Sequence, residues 1–435
     1  MTEEVKKRIE DINNGIVPEG YKRVGKDIIP DDWEQRKLIQ VCDYVDYRGK
    51  TPTKTECGIF LVTAKNVKEG YIDYETSKEY IAEEDFEEVM HRGKAEIGDV
   101  LITTEAPCGN VAQVNRPNIA LAQRIIKYRG HLNVIDNTYL KHYLLAPEFQ
   151  KILSENSSGG TVQGIKGSIL HQLPIFYPKY DEQVKIGIFF DNLDNTITLH
   201  QRKCDELKNL KKTYLTKMFP QKGQKRPEIR FSGFTDDWEQ RKCSELMSIS
   251  SADRVYKEQW QDNGVPFFRS SDVMAVHRGT ENEPAFISED VFYELSAKSG
   301  APKKNDVFLT GGGTVAMPYW VPNDEPLYFK DGDLVWLSNY EGVDGKYLYH
   351  YFLTPNFRKY VKSISHVGTI AHWTIEQTAA TPIIFPCLEE QKRISEFFDN
   401  LDNTITLHQR KCELLKMKKK ALMQLLLTGK VRFKV

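Results

Sequence analysis

The chain has 435 residues, 40% hydrophobic and 11% aromatic, a composition that belongs to a folded protein with more than one ordinary core. Its formal net charge of −1 excludes a global electrostatic argument for nucleic acid, so any basic surface must be local. No stretch approaches about 18 uninterrupted apolar residues, and the start MTEEVKKRIEDINNG is charged from its third residue; neither a membrane span nor a secretion signal is expected. The seven cysteines (42, 57, 108, 204, 243, 387 and 412) include no C-x-x-C pair, which points to reduced thiols in a cytoplasm and away from a zinc site.

Taken in order, residues 2–14 predict a short helix with Val5, Ile9, Ile12 and Ile16 on one face and Gly15 as its stop. A connector, VPEGYKRVGKDIIP, leads to DDWEQRK at 31–37, which recurs at 236–242. Two globular stretches follow these markers, 31–178 and 236–386, divergent in sequence but with shared landmarks. GIFLVTAKNV (58–67) parallels GVPFFRSSDV (264–273), and Asp99-Val100-Leu101 parallels Asp306-Val307-Phe308. Gly160-Thr161 parallels Gly368-Thr369, and Pro174 and Pro178 parallel Pro382 and Pro386. The short apolar runs VLIT, VFLT, RIIKY and DLVWL predict strands, and 137–153 and 346–364 predict helices.

A long helix is expected after each globular stretch, from about Asp181 to Phe219 before Pro220, and from about Glu389 to Leu427 before Thr428-Gly429. At ~1.5 Å per residue each would be a rod of roughly 55–60 Å. Both contain FFDNLDNTITLHQRKC, at 189–204 and identically at 397–412, which marks a tandem repeat of a large unit. Phe190, Leu193, Ile197, His200, Cys204 and Leu207 fall on one helical seam, as do Phe398, Leu401, Ile405, His408, Cys412 and Leu415. The cysteines and histidines there read as packed or satisfied interfacial groups. The tail VRF (431–433) matches IRF (229–231) ahead of the second DDWEQRK, so it reads as the start of a third unit that the amino-terminal connector would complete in space.

No catalytic constellation is legible. The amino-methyl-transfer loops N-P-P-[FY] and D-P-P-Y, a G-x-G-x-x-G after a strand, a phosphate loop and H-E-x-x-H are all missing. Gly311-Gly312-Gly313 is the only glycine triplet and lies at a strand end, where a flexible loop approaching DNA or a plain turn are both open.

Two divergent heads, two near-identical long helices, DDWEQRKL, ALAQRIIKYRG, the EEQ…FF…LD…I…H…L helix pattern and a tail ending LLTGKVRF together resemble the specificity subunit of type I restriction-modification systems over essentially the whole chain. The resemblance implies an α+β fold in which two mixed α/β target recognition domains are separated by two long antiparallel coiled-coil helices, in a pseudo-twofold circular arrangement. It also implies these divisions: 1–30 amino-terminal helix and connector, 31–178 first recognition domain, 179–220 first spacer helix, 221–235 linker, 236–386 second recognition domain, 387–428 second spacer helix, 429–435 tail. Each domain would read half of an asymmetric split site in double-stranded DNA. The helices would set the spacing and dock two methyltransferase subunits, with the restriction/translocase subunit joining through the complex. No cofactor is implied, and catalysis would lie on the partner chains.

Base reading needs polar and basic side chains on loops, with phosphate contacts for positioning. In the first head the candidates are Thr63, Lys65, Asn66, Thr103, Thr104, Cys108, Gln123, Arg124, Thr161, Gln163 and Lys166. In the second they are Arg269, Ser270, Ser271, Thr310, Gly311, Gly312, Gly313, Thr314, Lys330, His366, Thr369 and His372. The candidates for partner docking are Asp191, Asn195, Gln201 and Arg202, repeated as Asp399, Asn403, Gln409 and Arg410. The basic run Lys203, Lys208, Lys211, Lys212, Lys217, Lys222, Lys225 and Arg226 reads as a solvated helix end more readily than as a phosphate track. Two other function classes stay open: a coiled-coil scaffold that binds only proteins, and an enzyme with an unrecognised site.

Overall fold

The computed structural model describes residues 2–47, 52–159, 163–364 and 372–433; Thr161, His366 and Thr369 lie outside them. The chain divides into two compact units, one formed by Met1–Gln201 with Arg410–Val435, the other by Arg202–Gln409.

The first unit is built on a four-stranded antiparallel sheet in the order Cys42–Asp46, Ile125–Gly130, Val100–Thr104, Cys108–Gln113. Val100–Thr104 is a run of apolar and β-branched residues buried along its whole length, as a central strand covered on both faces requires. A second, three-stranded sheet places Ile59–Val62 between Tyr80–Ile81 and Ala120–Leu121, and the pairing with Ala120–Leu121 is parallel.

The second unit repeats the scheme on different residues: Ser248–Ser250, Leu334–Ser338, Val307–Thr310, Pro318–Trp320 in the main sheet, and a parallel pairing of Val265–Phe268 with Tyr328–Phe329 in the smaller one. The landmark glycines share one geometry. Gly58 (φ +128) and Gly264 (φ +125) pack so tightly that a Cβ would lie 2.2 Å from the Ile81 carbonyl oxygen and 2.4 Å from that of Ile287. Only glycine suits both the backbone angle and the space.

The helices expected at 137–153 and 346–364 each occur as two. Asn137–Leu145 is followed by Pro147–Glu155, and Gly345–Leu353 by Pro355–Ile364. Proline lacks an amide hydrogen and forces its predecessor out of the helical region, so Ala146 and Thr354 are extended and a new helix opens at the proline. The first helix of each pair is capped by an aspartate, Asp136 or Asp344, which accepts from the amide three residues on.

DDWEQRK is a clasp at the base of each unit. Its tryptophan is buried (Trp33, Trp238), while EQRK forms a strand against the segment that enters the long helix: Glu34–Lys37 pairs with Pro174–Tyr177, and Glu239–Lys242 with Pro382–Phe385.

The long helices span Tyr180–Lys217 and Leu388–Leu426. In each unit, one half of one helix packs antiparallel on one half of the other. In the first unit Asp194 meets Lys419 at 2.6 Å, and the Cys412 thiol donates to the Ile197 carbonyl at 3.4 Å. In the second, Lys211 meets Asp402 at 2.6 Å, and Cys204, Leu207, Leu401 and Ile405 form one buried cluster. Phe190 and Phe398 are fully buried seam positions, each contributing about 2–3 kcal/mol by desolvation.

The carboxyl tail belongs to the first unit. Arg432 there pairs with Glu182 near the start of the first long helix, just as Arg230 pairs with Glu390 in the second unit. Phe433 meets Phe189 at 5.5 Å between ring centroids, and Phe231 meets Phe397 at 6.3 Å. The final VRF thus does in one unit what IRF does in the other. Within the first unit the tail also meets the amino-terminal connector, Tyr21 Oη donating to Gly429 O at 2.9 Å.

Candidate nucleic-acid interface

A parallel strand pair brings both carboxyl ends to the same edge, and in each head that edge carries the candidate loops. In the first head Val62 pairs with Leu121, so the loop beginning at Thr63 and the segment 122–124 leave side by side, tied by Ala122 N donating to Val62 O at 2.9 Å. Thr104 N donates to Arg124 O and Ile165 N to Thr104 O, both at 2.9 Å. These bonds draw 104–105, 123–124 and 163–166 together. Lys65, Arg124, Gln163 and Lys166 are exposed there, and Arg124 forms an ion pair with Glu105 at 3.2 Å.

The second head gathers the corresponding loops. Phe268 pairs with Phe329, Lys330 N donates to Phe268 O at 2.9 Å, and Gly311 N donates to Asp333 O at 2.7 Å. Trp373 N donates to Gly311 O at 2.7 Å, and Ser270 Oγ to Asp333 O at 2.7 Å. Ser271, Gly313, Thr314 and His372 are exposed on this surface.

Several candidates turn out to hold the loops instead of facing outward. Asn66 is fully buried; its carbonyl accepts from the amide and hydroxyl of Thr63, and its amide donates to the Asp73 and Thr76 carbonyls. It closes its own turn, the usual competing role of asparagine, and cannot offer its edge to a base. Thr103 and Thr310 are fully buried and Thr104 nearly so. The hydroxyl of Thr103 accepts from Asn110 N, and that of Thr310 accepts from Met317 N and donates to Thr314 O. Gly311 is required by packing, since a Cβ would lie 2.8 Å from the Gly332 carbonyl oxygen; Gly312 and Gly313 have open space.

Arg269 is likewise committed. Its guanidinium donates to both oxygens of Asp272 and stacks near Trp260, 5.8 Å from the ring centre. Burial disfavours ionisation of Asp272, but hydrogen bonds from Arg269 and Asn282 outweigh it and hold the carboxyl below its ordinary range. Cys108 is half-buried and 3.7 Å from Ser157 Oγ, and burial raises its pKa, so the thiol stays protonated at neutral pH.

The docking candidates separate in the same way. Asn195, Gln201, Arg202, Asn403, Gln409 and Arg410 are exposed. Asp191 and Asp399 are instead used within their own units: Asp191 accepts from Lys141 and from His142 Nε2, and Asp399 pairs with Lys346 at 2.6 Å and lies 3.5 Å from His350. Each follows the buried Phe190 or Phe398 directly, so it flanks the packed stripe and not the outer face. What the seam pattern hid is a pair of exposed leucines, Leu199 and Leu407, equivalent in the repeat and each 65% exposed. They lie one helical turn from Asn195 and Arg202, and from Asn403 and Arg410.

In the basic run, Lys211 pairs with Asp402, Lys203 with Glu206, Lys217 with Glu228 and Arg226 with Asp237, so half of it is locally neutralised. Among the described residues no cluster of three His, Cys, Asp or Glu is arranged to hold a metal, and no helix is long and apolar enough to cross a membrane.

The family described as "Type I restriction modification DNA specificity domain" matches twice, over residues 30–209 and 235–417. The chain is 25% identical over 442 aligned residues to the type I restriction enzyme MjaVIII specificity subunit of Methanocaldococcus jannaschii, covering 96% of this chain and 97% of that one. It is 26% identical over 450 aligned residues to the "Putative type I restriction enzyme MjaX specificity subunit" of the same organism, covering 96% and 97% of the two chains. Among solved structures, the fold is similar to the type I restriction-modification S subunit from M. genitalium, with a TM-score of 0.56, 13% identity and coverage of 97% and 100%. A chain from a study of complex assembly and conformational transition in a type I system gives a TM-score of 0.55 at 17% identity, covering 93% and 99%. This chain belongs to the type I restriction-modification specificity subunits, the non-catalytic DNA-recognition components of those systems.

Proposed function

We propose that each head reads one half of a split, asymmetric site in double-stranded DNA, and that the two long helices set the spacing between the halves. The observation that carries this reading is the contrast within the repeat. The two heads share a strand scheme and loop convergence but present different residues, Lys65, Arg124 and Lys166 against Ser271, Lys330 and His372. The helices meanwhile keep a 16-residue identity. A duplicated scaffold with divergent loops suits two readers of different sequence. A rod fixes their separation, about one helical turn of ~34 Å between half-site centres.

The same identity supports docking of two copies of one methyltransferase subunit, one at Asn195, Leu199 and Arg202 and one at Asn403, Leu407 and Arg410. Arginine is among the residue types enriched at interface hot spots, and on each face the exposed Arg202 or Arg410 stands one turn from an exposed leucine that would add apolar contact. The restriction/translocase subunit joins through that complex, and the assembly works on cytoplasmic DNA. With so neutral a chain, tight binding relies on the methyltransferase closing around the duplex.

The test is an exchange of residues 31–178 for another head of the family, assembled with methyltransferase and read by sequencing methylated DNA. One half of the motif should change, with the other half and the spacer intact. A change in both halves would overturn the two-reader assignment. If the unaltered complex selected no sequence from random duplexes, the chain would be a protein scaffold.

A further inference from the structure

Arg124 and Asp333 occupy one topological position in the two heads and carry opposite charge. In the first head Ile125 pairs with Thr103, and Arg124 O accepts from Thr104 N at 2.9 Å. In the second, Leu334 pairs with Thr310, and Asp333 O accepts from Gly311 N at 2.7 Å. Each residue therefore directly precedes the same strand of the main sheet and is held by the same backbone hydrogen bond. Sequence similarity alone does not equate them; strand register does.

The surroundings reverse with the charge. Arg124, 49% exposed, faces Glu105 at 3.2 Å, whereas the step matching Glu105 in the second head is Gly312. Asp333, 28% exposed, faces Lys330 at 3.6 Å. An exposed ion pair such as Arg124–Glu105 contributes little to stability. Folding thus gives no reason for an arginine at φ +74, a left-handed backbone that strains any residue with a Cβ. Strain of this kind is retained where the side chain's position matters.

We propose, resting on the DNA-reading role above, that this position determines base specificity with opposite polarity in the two heads. The Arg124 guanidinium donates its fork to O6 and N7 of a guanine, and the Asp333 carboxylate accepts from the N4 amino group of a cytosine. These are the pairings that donor and acceptor geometry in the major groove allows.

The experiment selects binding sites from random duplexes with the full chain and methyltransferase, comparing wild type with R124Q and D333N. R124Q should lower preference for guanine at one position by about ten-fold or more and raise adenine there, because a glutamine amide matches adenine's donor–acceptor edge. D333N should relax one position in the other half only. R124K, which keeps the charge but loses the fork, tests geometry and should retain a weakened guanine preference. A wild-type split motif that R124Q leaves unchanged, with uniformly weaker binding, would make Arg124 a phosphate contact and overturn this inference alone. Failure of R124Q and R124K to assemble would make the residue structural and overturn it as well. A wild-type complex that selects no sequence overturns the recognition reading itself.

Discussion

Arg432 donates from its Nε and Nη2 atoms to both carboxylate oxygens of Glu182, and from Nη1 and Nη2 to Asp32. Glu182 is 1% exposed, so the pair is buried on one side and the guanidinium is its counter-ion. Removing one partner leaves a buried charge unpaired, which costs about 3–5 kcal/mol. Arg432→Ala is therefore expected to lower the melting temperature of the first unit markedly. The double variant Arg432→Met with Glu182→Leu should recover most of the loss. An R432A protein that melts like wild type would rule out the tail as the closing element.

The seam pairs Asp194–Lys419 and Lys211–Asp402 sit at matching repeat positions, both partly buried. Lys419→Ala should cost about 1–2 kcal/mol, between the values for exposed and buried pairs. Exchanging the charges (D194K with K419D) should restore much of it, measured by the midpoint of denaturant unfolding. No recovery on exchange would show that the antiparallel register does not depend on this contact.

His142 is completely buried between its head and the first long helix, with Nε2 donating to Asp191 at 2.8 Å. Burial lowers its pKa to about 4, against the opposing pull of Asp191. Because the folded pKa lies below the unfolded value of ~6.5, the unfolded chain takes up the proton first. The stability is fully present above ~6.5 and is lost as pH falls toward 4, by about 2 kcal/mol at pH 5. Burial raises the Asp191 pKa, but hydrogen bonds from His142 and Lys141 outweigh it and bring it to about 2, so its contribution disappears only below ~4. His142→Gln should flatten the stability profile between pH 6.5 and 5. An unchanged slope would assign the acid sensitivity elsewhere.

Gly264→Ala should destabilise the second unit by on the order of 2–5 kcal/mol, because the added Cβ meets backbone and the φ of +125 is strained for alanine. The readout is thermal unfolding together with retention of a cooperative transition.

Leu199→Glu and Leu407→Glu should leave folding unchanged, since both side chains are 65% exposed. Each should reduce by one the number of methyltransferase subunits carried per chain, counted by native mass. Two subunits retained by the double variant would exclude these faces as docking sites.

The repeat, the ends of the long helices and the family were all legible in the chain itself, because identity, seam spacing and stop residues are local signals. The expected ends at Phe219 and Leu427 lie within two residues of the observed Lys217 and Leu426. Pairings that join distant residues were not legible. Asn66 looked like a base reader, yet it spends its hydrogen bonds on its own turn. Asp191 looked outward-facing, yet it anchors His142. A polar side chain does not announce whether backbone groups nearby will satisfy it. Pro147 and Pro355 each open a new helix inside an apolar run whose periodicity alone reads as one continuous helix.

By itself, the sequence determined that one large unit occurs twice and that its helices are rods with an apolar seam, since helical periodicity needs only neighbouring residues. Tertiary structure alone decided which loops meet and which residues correspond between the heads. Arg124 and Asp333 are equivalent only through strand pairing, and pairing joins segments whose contact no local pattern encodes.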